Sequence, residues 1–538
     1  MKLSIQSLKN EKVAWELANV KLPTFNIEAL NSATRDNPTW VHFGAGNIFR
    51  GFIAKLQHNL LASGKADTGI IAVDTFDYDI IDKIYTAYDN LTILVLMKPN
   101  GVFEKSIVAS VTEAIKANSS DNISMNRLKE IFTNPKLQMA SFTITEKGYA
   151  LANIDGDFFP VVHEDIINGP KHAKHTMSIV ASLVYERYLS TKAPIALVSM
   201  DNCSHNGDKL RASILTISKE WEKRGFVDKD FISYLENESM VSFPWSMIDK
   251  ITPRPSELVQ KHLEEQGIEN MAPIITSKNT FIAPFVNAEE TEYLVIEDKF
   301  PNGRPPLELA GVYFTDRETV NNTERMKVTT CLNPLHTALA VYGCLLGYTS
   351  IASEMKDTQL KKLVEKIGYE EGMPVVVNPK ILDPLNFIKD VINNRLPNPF
   401  IPDSPQRIAT DTSQKIAIRF GETIKSYMER EDLNPADLIY IPLVLAGWCR
   451  YLLGIDDKGN PMELSSDPML PQLTSALKDV KFGDPSSYQG QLKPILSNPL
   501  LFGVDLYEVG LGEKVENLFL ELISGEGAVR KTLIKYVG

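Results

Sequence analysis

Three polar side chains precede a long apolar run in residues 326–348, MKVTTCLNPLHTALAVYGCLLGY: they are Lys327, Asn333 and His336. Lysine can transfer a proton, an asparagine amide can stabilise a developing oxyanion, and a neutral histidine can orient a hydroxyl group. The same residues also have a structural explanation. Pro334 suits the first helical position, Asn333 would then be the N-cap, and the helix dipole would keep His336 neutral in the first turn. Taken alone, these residue types favour the structural explanation.

A second candidate site is the glycine turn Gly44-Ala45-Gly46, which follows the predicted strand WVHFGAG and opens the predicted helix NIFRGFIAKLQHNLLASG. Glycines in this position let the backbone approach a pyrophosphate at a helix N-terminus. The third glycine of the usual dinucleotide fingerprint is absent, because Phe49 stands there. A plain turn between strand and helix is therefore an open alternative.

The cofactor preference depends on Asp74, which ends the next predicted strand. A carboxylate in that position can accept hydrogen bonds from ribose hydroxyls and repel a 2′-phosphate. We therefore predict NAD rather than NADP as the cofactor. The structural alternative for Asp74 is a turn residue or a helix N-cap.

Two further polar clusters could bind a ligand. SMDNCSHNGD, residues 199–208, follows a predicted buried strand, so Asp201, Asn202 and Asn206 are expected at the carboxyl edge of a sheet, where open α/β sheets bind ligands. RIATDTSQKIAIRF, residues 407–420, places Arg407 and Lys415 near an otherwise apolar helix. These two cations are either solvated surface charges or ligands of a carboxylate.

The elements that must position these residues follow two patterns. From about residue 38 to 205, the apolar runs GIIAVD, LTILVLM, MASFTIT and PIALVSM alternate with helical patterns, which is typical of parallel strands covered on both faces. EYLVIEDKFPNGRPPLELAG reads as the last strand and a Pro/Gly-rich connection. After roughly residue 317 the periodicity is that of long helices. The predicted fold class is α/β, with a doubly wound nucleotide-binding sheet domain followed by a mostly α-helical domain.

Composition and charge exclude several partners. A chain of 538 residues predicts two or more domains, and 43% hydrophobic with 23% charged residues is typical of a soluble globular protein. A formal net charge of −12 argues against nucleic acid or an anionic membrane as the main partner. An anionic substrate would therefore need a local positive site.

Localisation and metal content follow from what the sequence lacks. The N-terminal segment has no apolar core of a secretory signal, and the longest apolar stretch, YIPLVLAGWC, is too short to span a bilayer, so we predict a cytoplasmic protein. The four cysteines are far apart and form no CxxC motif. Neither a disulfide framework nor a thiolate zinc site is predicted.

Several segments occur together over nearly the whole chain: HFGAGNIFRGF (42–52), TITEKGY (143–149), DNCSHNG (201–207), DKITP (249–253), VIEDKFPNGRP (295–305), KVTTCLNPLH (327–336) and DTSQK (411–415). In this order they resemble the polyol-specific long-chain dehydrogenases, the mannitol dehydrogenase family. The resemblance implies a Rossmann-type NAD-binding domain over residues 1–317 and a mostly helical substrate-binding and catalytic domain over residues 318–538. It also implies an active site in the cleft between the domains and no catalytic metal.

The resemblance also implies roles for single residues. Lys327 resembles the general acid/base of the family, Asn333 and Asn202 the side chains that stabilise the oxyanion, and His336 a substrate-orienting group. Asp249, Arg407 and Lys415 resemble other substrate contacts. The cofactor contacts implied are Gly44, Ala45, Gly46, Asn47, Ile48, Phe49, Arg50, Asp74 and Glu146. The family's lysine and asparagine are one residue closer in sequence than Lys327 and Asn333.

The substrate class can be narrowed further. Arg254, in ITPRP, is an additional cation that could contact an anionic end of the substrate, with a surface arginine as the alternative. HFGAGNIFRGF resembles the mannitol-1-phosphate dehydrogenases, but those chains are shorter. The length of the chain and the lengthened KVTTCLNPLH resemble the long fructuronate reductase branch. We therefore predict an NAD-dependent oxidoreductase that interconverts D-fructuronate and D-mannonate.

Alternatives remain within the same family and outside it. A mannitol 2-dehydrogenase, a tagaturonate reductase or a mannitol-1-phosphate dehydrogenase would use the same residues on another sugar acid or polyol. An NAD(H)-binding sensor on the same fold would bind the cofactor without turnover. The sequence leaves the oligomeric state and the direction of the reaction open.

Overall fold

The computed structural model describes residues 1–538, and the chain divides into two units, Met1–Asn321 and Asn322–Gly538. The boundary falls within the helix Arg317–Arg325, whereas the sequence patterns place it after residue 317. All β-strands belong to the first unit, and the second unit is built from helices and their connections. None of the helices combines the length and the apolar character needed to cross a bilayer.

A six-stranded parallel sheet forms the centre of the first unit. Its strands, in chain order, are β1 (Trp40–Phe43), β2 (Ile70–Asp74), β3 (Val111–Lys116), β4 (Met139–Phe142), β5 (Ile195–Ser199) and β6 (Val241–Ser242). The spatial order is β3-β2-β1-β4-β5-β6, and every neighbouring pair is parallel. The order reverses between β1 and β4, which is where doubly wound sheets bind ligands. The predicted fold class is confirmed.

The strands are apolar on both faces because both faces are covered. In β1, Val41 and Phe43 pack into one buried cluster, and Trp40 packs into a second. Helices Asn122–Thr133 and Thr176–Ser190 contribute side chains to the first cluster, which explains the continuous apolar runs seen in the sequence. This sandwich fixes the positions of the strand ends.

Two predicted strands form, but the sheet expected for one and the chain order expected for the other are wrong. The run LTILVLM forms Thr92–Met97, which lies outside the parallel sheet and pairs antiparallel with Phe103–Val108. A continuous apolar run shows that a strand is buried but not which partner it pairs with, and a short turn here selects a hairpin. Tyr293–Glu297 is not the last strand, because Tyr313–Thr315 pairs parallel with it.

The remaining strands form three small sheets. Val20–Lys21, Phe103–Val108, Thr92–Met97 and Phe285–Ala288 make a four-stranded sheet in that order. The other two sheets are the three-stranded Ser246–Asp249, Tyr293–Glu297, Tyr313–Thr315 and the two-stranded Ile274–Ile275, Phe281–Ile282. The α-helices of the first unit are Ile5–Asn10, Lys12–Leu17, Ile27–Asp36, Ala54–Ala62, Tyr78–Ile80, Asn122–Thr133, Pro160–Asn168, Thr176–Ser190, Asn206–Lys223, Lys229–Glu236 and Glu257–Glu265.

The core of the second unit is the helix Asn333–Leu346, whose residues are almost all buried. It packs on the helix Tyr440–Tyr451: Gly447 lies against the ring of Tyr342, whose hydroxyl donates to the carbonyl oxygen of Leu443 at 2.7 Å. The other α-helices are Ile351–Glu354, Thr358–Glu365, Pro384–Asp390, Pro405–Ile408, Glu422–Met428, Leu470–Ala476, Lys493–Leu496, Pro499–Phe502, Gly512–Leu522 and Ala528–Val537. π-Helical turns occur at Met326–Cys331, Lys366–Gly372, Val391–Arg395 and Ala417–Gly421.

Candidate active site

The glycine turn after β1 packs closely on a neighbouring loop at Gly44 and is open at Gly46. Gly44 has φ +100° and donates its N–H to the carbonyl oxygen of Val73 at 2.9 Å. A Cβ at Gly44 would collide with the carbonyl oxygen of Thr143, whereas a Cβ at Gly46 would meet no atom within 4 Å. Gly44 is therefore required by the close packing of two loops, and the backbone at Gly46 is open to a ligand.

Asp74, at the end of β2, is connected to this turn. One carboxylate oxygen accepts N–H groups from Phe76 and Asp77, each at 2.8 Å, and the other accepts the N–H of Ala45 at 3.2 Å. Burial raises the pKa of Asp74, and the three N–H donors partly oppose the shift. The turn-residue alternative is therefore realised, and it is compatible with ribose binding because a carboxylate has further lone pairs to offer.

The structure corrects the sequence expectation for two cofactor residues. Phe49 and Arg50 are 0% exposed. Phe49 stacks on His42, and Arg50 donates to Thr92 Oγ1 at 3.1 Å and to the carbonyl oxygen of Ala283 at 2.8 Å. The cause is a π-helical turn over Phe49–Ile53, which directs these side chains into the core, so only their backbone belongs to the candidate cofactor site.

Three other expected cofactor residues lie near the surface. Asn47 and Ile48, in the first turn after Gly46, are half-buried, and the Asn47 amide donates to the carbonyl oxygen of Pro253 at 3.4 Å. Glu146 is exposed in the loop after β4 and forms an ion pair with Lys209.

Asp201, after β5, organises the loop after β4. Its carboxylate accepts the N–H groups of Ile144 and Thr145, each at 2.9 Å, and the hydroxyl of Tyr149 at 2.6 Å. Thr145 is thereby held at φ +64° and ψ 160°, a backbone conformation that only glycine adopts readily. The sequence singled out both TITEKGY and DNCSHNG but did not reveal that the buried carboxylate of Asp201 joins them. The exposed Asn202 directly follows Asp201.

Asp249 and Arg254 have different environments. Asp249 is buried at the end of the strand Ser246–Asp249, which is held by the Asn206 amide through Ser246. Arg254 is exposed, lies 4.9 Å from the ring centroid of Phe281 and pairs with no carboxylate. The exposed arginine is the alternative that the sequence analysis left open for Arg254.

Lys327, in the second unit, lies on a π-helical turn. The turn spans Met326–Cys331, and the N–H of Leu332 donates to the carbonyl oxygen of Lys327 at 3.1 Å, five residues back. Such turns accommodate one more residue than an α-helical turn and often occur at functional sites. The turn ends between Lys327 and Asn333, where the resemblance implies one residue more than the family spacing. Lys327 is 2% exposed.

Asn333 is not the N-cap of the helix that follows, so that prediction is wrong. The helix begins at Asn333, Pro334 occupies its second position, and Leu332 is the N-cap without a side-chain bond. The π-turn carries the chain directly into the helix, which leaves no extended residue to act as a cap. The half-buried Asn333 amide makes no hydrogen bond within the protein. Asn333, His336 and Thr337 occupy one face of the first turn.

Asp403 connects two of the predicted residues and was missed in the sequence. One of its carboxylate oxygens lies 3.2 Å from His336 Nε2, and the other accepts from Arg407 Nε at 2.7 Å, with a second contact from the same guanidinium. Burial acts to raise the pKa of Asp403, but His336 and Arg407 outweigh it and the pKa is lowered. The available signal was the spacing of Asp403 and Arg407, four residues apart around a short helix.

Lys415 is half-buried and donates to the carbonyl oxygen of Thr410 at 2.6 Å. Burial lowers the pKa of Lys415, and the nearby cations Arg419 and Arg407 lower it further, partly opposed by Asp411. Asn333, His336, Arg407 and Lys415 thus belong to one neighbourhood, linked by Asp403 and Arg419. No group of three or more His, Cys, Asp or Glu side chains is arranged to hold a metal ion.

Two family models match the chain. The mannitol dehydrogenase Rossmann domain matches residues 38–309, and the mannitol dehydrogenase C-terminal domain matches residues 319–517.

Individual proteins match over nearly the full length. The D-mannonate oxidoreductase of Thermotoga maritima is 59% identical, aligned over 100% of this chain and 99% of the relative. A D-sorbitol dehydrogenase solved in substrate-free form has a TM-score of 0.78 and 25% identity, covering 96% of this chain and 98% of that one. Pseudomonas fluorescens mannitol 2-dehydrogenase, solved in a ternary complex with NAD and D-mannitol, has a TM-score of 0.70 and 24% identity, with 99% of both chains covered. The last likeness shows a common fold.

Proposed function

Because the chain belongs to the mannitol dehydrogenase family of oxidoreductases, we propose that it interconverts D-fructuronate and D-mannonate with NAD as the cofactor. The observation that carries the proposal is the 59% identity to a D-mannonate oxidoreductase, over 100% of this chain and 99% of the relative. The two chains therefore differ by no large insertion or deletion that would change the shape of a substrate site. The sequence reached the same substrate from the length of the chain and the lengthened KVTTCLNPLH.

The glycine turn and Asp74 support NAD as the cofactor. Gly44 keeps the loop close to its neighbour, and Gly46 leaves the backbone N–H groups at the start of the helix open to a pyrophosphate. Asp74 would hold the adenosine ribose and disfavour a 2′-phosphate. When bound, the nicotinamide supplies a hydride to the ketone or accepts one from the alcohol.

Lys327 is the proposed acid/base. In the direction of reduction its ammonium group donates a proton to the oxygen of the former carbonyl, and in the direction of oxidation the amine takes that proton back. The Asn333 amide donates a hydrogen bond to the same oxygen and stabilises the negative charge that develops there. Asn202 has the same proposed role.

His336 is proposed to orient a substrate hydroxyl. Because Nε2 faces the Asp403 carboxylate, the neutral ring carries its proton on Nε2 and leaves Nδ1 as a hydrogen-bond acceptor. A hydroxyl group of the substrate can donate to that nitrogen. The other proposed substrate contacts are Asp249, Arg254, Arg407 and Lys415.

The substrate is tested by incubating the purified protein with NADH and D-fructuronate, D-tagaturonate, D-fructose or D-fructose 6-phosphate. The expected result is the fastest loss of NADH absorbance with D-fructuronate. Oxidation of D-mannonate with NAD would confirm the reverse reaction. A higher kcat/KM for any of the other three substrates would contradict the proposal, and NADH binding without turnover of any of them would indicate a sensor.

The role of Lys327 is tested with Lys327→Met. General acid–base catalysis contributes about 10²- to 10⁴-fold, so kcat should fall by that factor while NADH binding is retained. Lys478→Met, at an exposed lysine of the same unit, is the matched control and should keep normal turnover. Near-normal kcat in Lys327→Met would assign the proton transfer to another group.

A further inference from the structure

Arg419 lies at the candidate site, near the end of the segment RIATDTSQKIAIRF (407–420), of which only Arg407 and Lys415 were predicted to bind a ligand. It is half-buried on the π-helical turn Ala417–Gly421, and its Nη1 donates to Thr337 Oγ1 at 2.5 Å. The Thr337 hydroxyl in turn donates to the carbonyl oxygen of Asn333 at 2.9 Å. The guanidinium group of Arg419 is therefore held on the helix face that carries Asn333.

The turn that carries Arg419 is fixed in position. Gly421, at its end, packs so closely on Phe502 that a Cβ would collide with the Phe502 carbonyl oxygen. The N–H of Arg419 also donates to the carbonyl oxygen of Lys415 at 2.9 Å. Backbone packing and the Thr337 hydroxyl thus hold the side chain from two sides.

Two fully buried arginines of the chain, Arg187 and Arg450, use their donors differently from Arg419. Arg187 donates five hydrogen bonds to carbonyl oxygens, and Arg450 donates three. Arg419 makes one side-chain hydrogen bond, to the Thr337 hydroxyl, and no carboxylate lies within salt-bridge distance of it. Because a guanidinium has five N–H donors, most donors of Arg419 are left for a ligand.

The neighbouring cations are already engaged. Arg407 is neutralised by Asp403, and the Lys415 ammonium donates to a backbone carbonyl. Burial lowers the pKa of Arg419 to about 10, which still leaves the guanidinium charged at neutral pH. In a chain of net charge −12, Arg419 is thus a cation that no carboxylate of the protein neutralises.

We propose that Arg419 binds the carboxylate of the sugar-acid substrate and so determines the preference for an acid over a neutral polyol or ketose. A guanidinium can bind a carboxylate through two parallel N–H···O bonds, which suits a planar anionic group better than a hydroxymethyl group. The proposal rests on the proposed function and names the group that recognises the acidic end of the substrate. A purely structural role predicts equal effects on charged and neutral substrates.

The test compares D-fructuronate with D-fructose, which has a hydroxymethyl group in place of the carboxylate. Hydrogen bonds to charged groups contribute enough that Arg419→Met should lower kcat/KM for D-fructuronate by about 10- to 100-fold more than for D-fructose. Arg419→Lys should restore part of the discrimination, because the charge remains while the two-pronged geometry is lost. Thr337→Val, which removes the hydroxyl that holds Arg419, should give a smaller loss of discrimination.

Controls separate this role from folding and from the proposed reaction. Arg430→Met is the matched control, because Arg430 is exposed and paired with Asp432, and it should leave the ratio unchanged. Equal losses on both substrates in Arg419→Met, or no loss on either, would overturn the role of Arg419.

Binding of D-mannonate and D-mannitol is measured in parallel by calorimetry, in the presence of the cofactor. A preference for D-mannonate that disappears in Arg419→Met supports the role of Arg419. Failure of the wild-type protein to reduce any of the ketoses would reject the proposed reaction but would leave this binding result standing. An unchanged preference, or none in the wild-type protein, would overturn the role of Arg419.

Discussion

Glu354 is a buried carboxyl group whose oxygens have no hydrogen-bond partner. Its side chain is 0% exposed and lies against Gly343 of the helix Asn333–Leu346, where a Cβ would collide with the carboxyl group. Burial, with smaller contributions from the charges of Asp357 and Asp403, raises the pKa of Glu354 to about 9. The folded protein therefore holds this group protonated at neutral pH, and we predict that Glu354→Gln stabilises it.

The size of the effect follows from the two pKa values. The reference pKa is 4.5 and the folded value is about 9, so the folded state binds more protons than the unfolded state between these values. The free energy of unfolding must then fall as the pH rises through this window. At about 1.4 kcal/mol per pKa unit, the cost is roughly 3 kcal/mol at pH 7 and roughly 6 kcal/mol above pH 9. Glutamine keeps the shape and removes the titration.

The assay is urea unfolding of the wild-type protein and Glu354→Gln between pH 5 and pH 9, followed by tryptophan fluorescence. Trp448 is the tryptophan that reports on the second unit. The stability difference should grow with pH by about 1.4 kcal/mol per unit and vanish toward pH 4. Glu513→Gln, at an exposed glutamate, should show no such slope. A difference between wild type and Glu354→Gln that does not change with pH would refute the reasoning.

Three other substitutions test the site. Asp403→Asn should lower kcat/KM and destabilise the second unit by about 1 kcal/mol, because it turns an amide toward His336 and leaves the largely exposed Arg407 without its anion. Denaturation and steady-state kinetics would measure this, and wild-type values would exclude a positioning role. Asp74→Ala should weaken discrimination against NADP, which kinetics with both cofactors would detect, and unchanged discrimination would remove Asp74 from the ribose role. Gly44→Ala should destabilise the first unit by about 3 kcal/mol and abolish NADH binding, because a Cβ would collide with the carbonyl oxygen of Thr143. Thermal unfolding and fluorescence titration would measure both effects, and wild-type stability and NADH binding would contradict this reasoning.

Local patterns predicted most of the parallel sheet. Four of its strands, β1, β2, β4 and β5, appear in the sequence as short apolar runs, because strands covered on both faces have no polar side to alternate with. The same reasoning failed for LTILVLM, since burial is a property of the strand whereas pairing is a property of two strands. The edge strand β6 has only two residues and offers no periodicity to detect.

The candidate site, like the sheet, was predicted only in part. The residue types of Lys327, Asn333 and His336 indicated proton transfer and hydrogen bonding, and their spacing placed two of them at the start of a helix. The spacing did not reveal the π-turn that precedes Asn333. A hydrogen-bond pattern with five-residue steps is rare, and side-chain periodicity over a single turn does not distinguish it from an α-helix.

The sequence by itself determined four strands of the parallel sheet, the glycine turn, the polar residues before the long helix and the membership of a family, because these depend on neighbours along the chain. Only the tertiary structure decided which charges meet. Asp403 is bound by His336 and Arg407, Glu354 is buried without a partner, and Arg419 is left without a carboxylate. The physical reason is that ionic contacts and desolvation depend on distances and burial, which arise only when remote segments pack together.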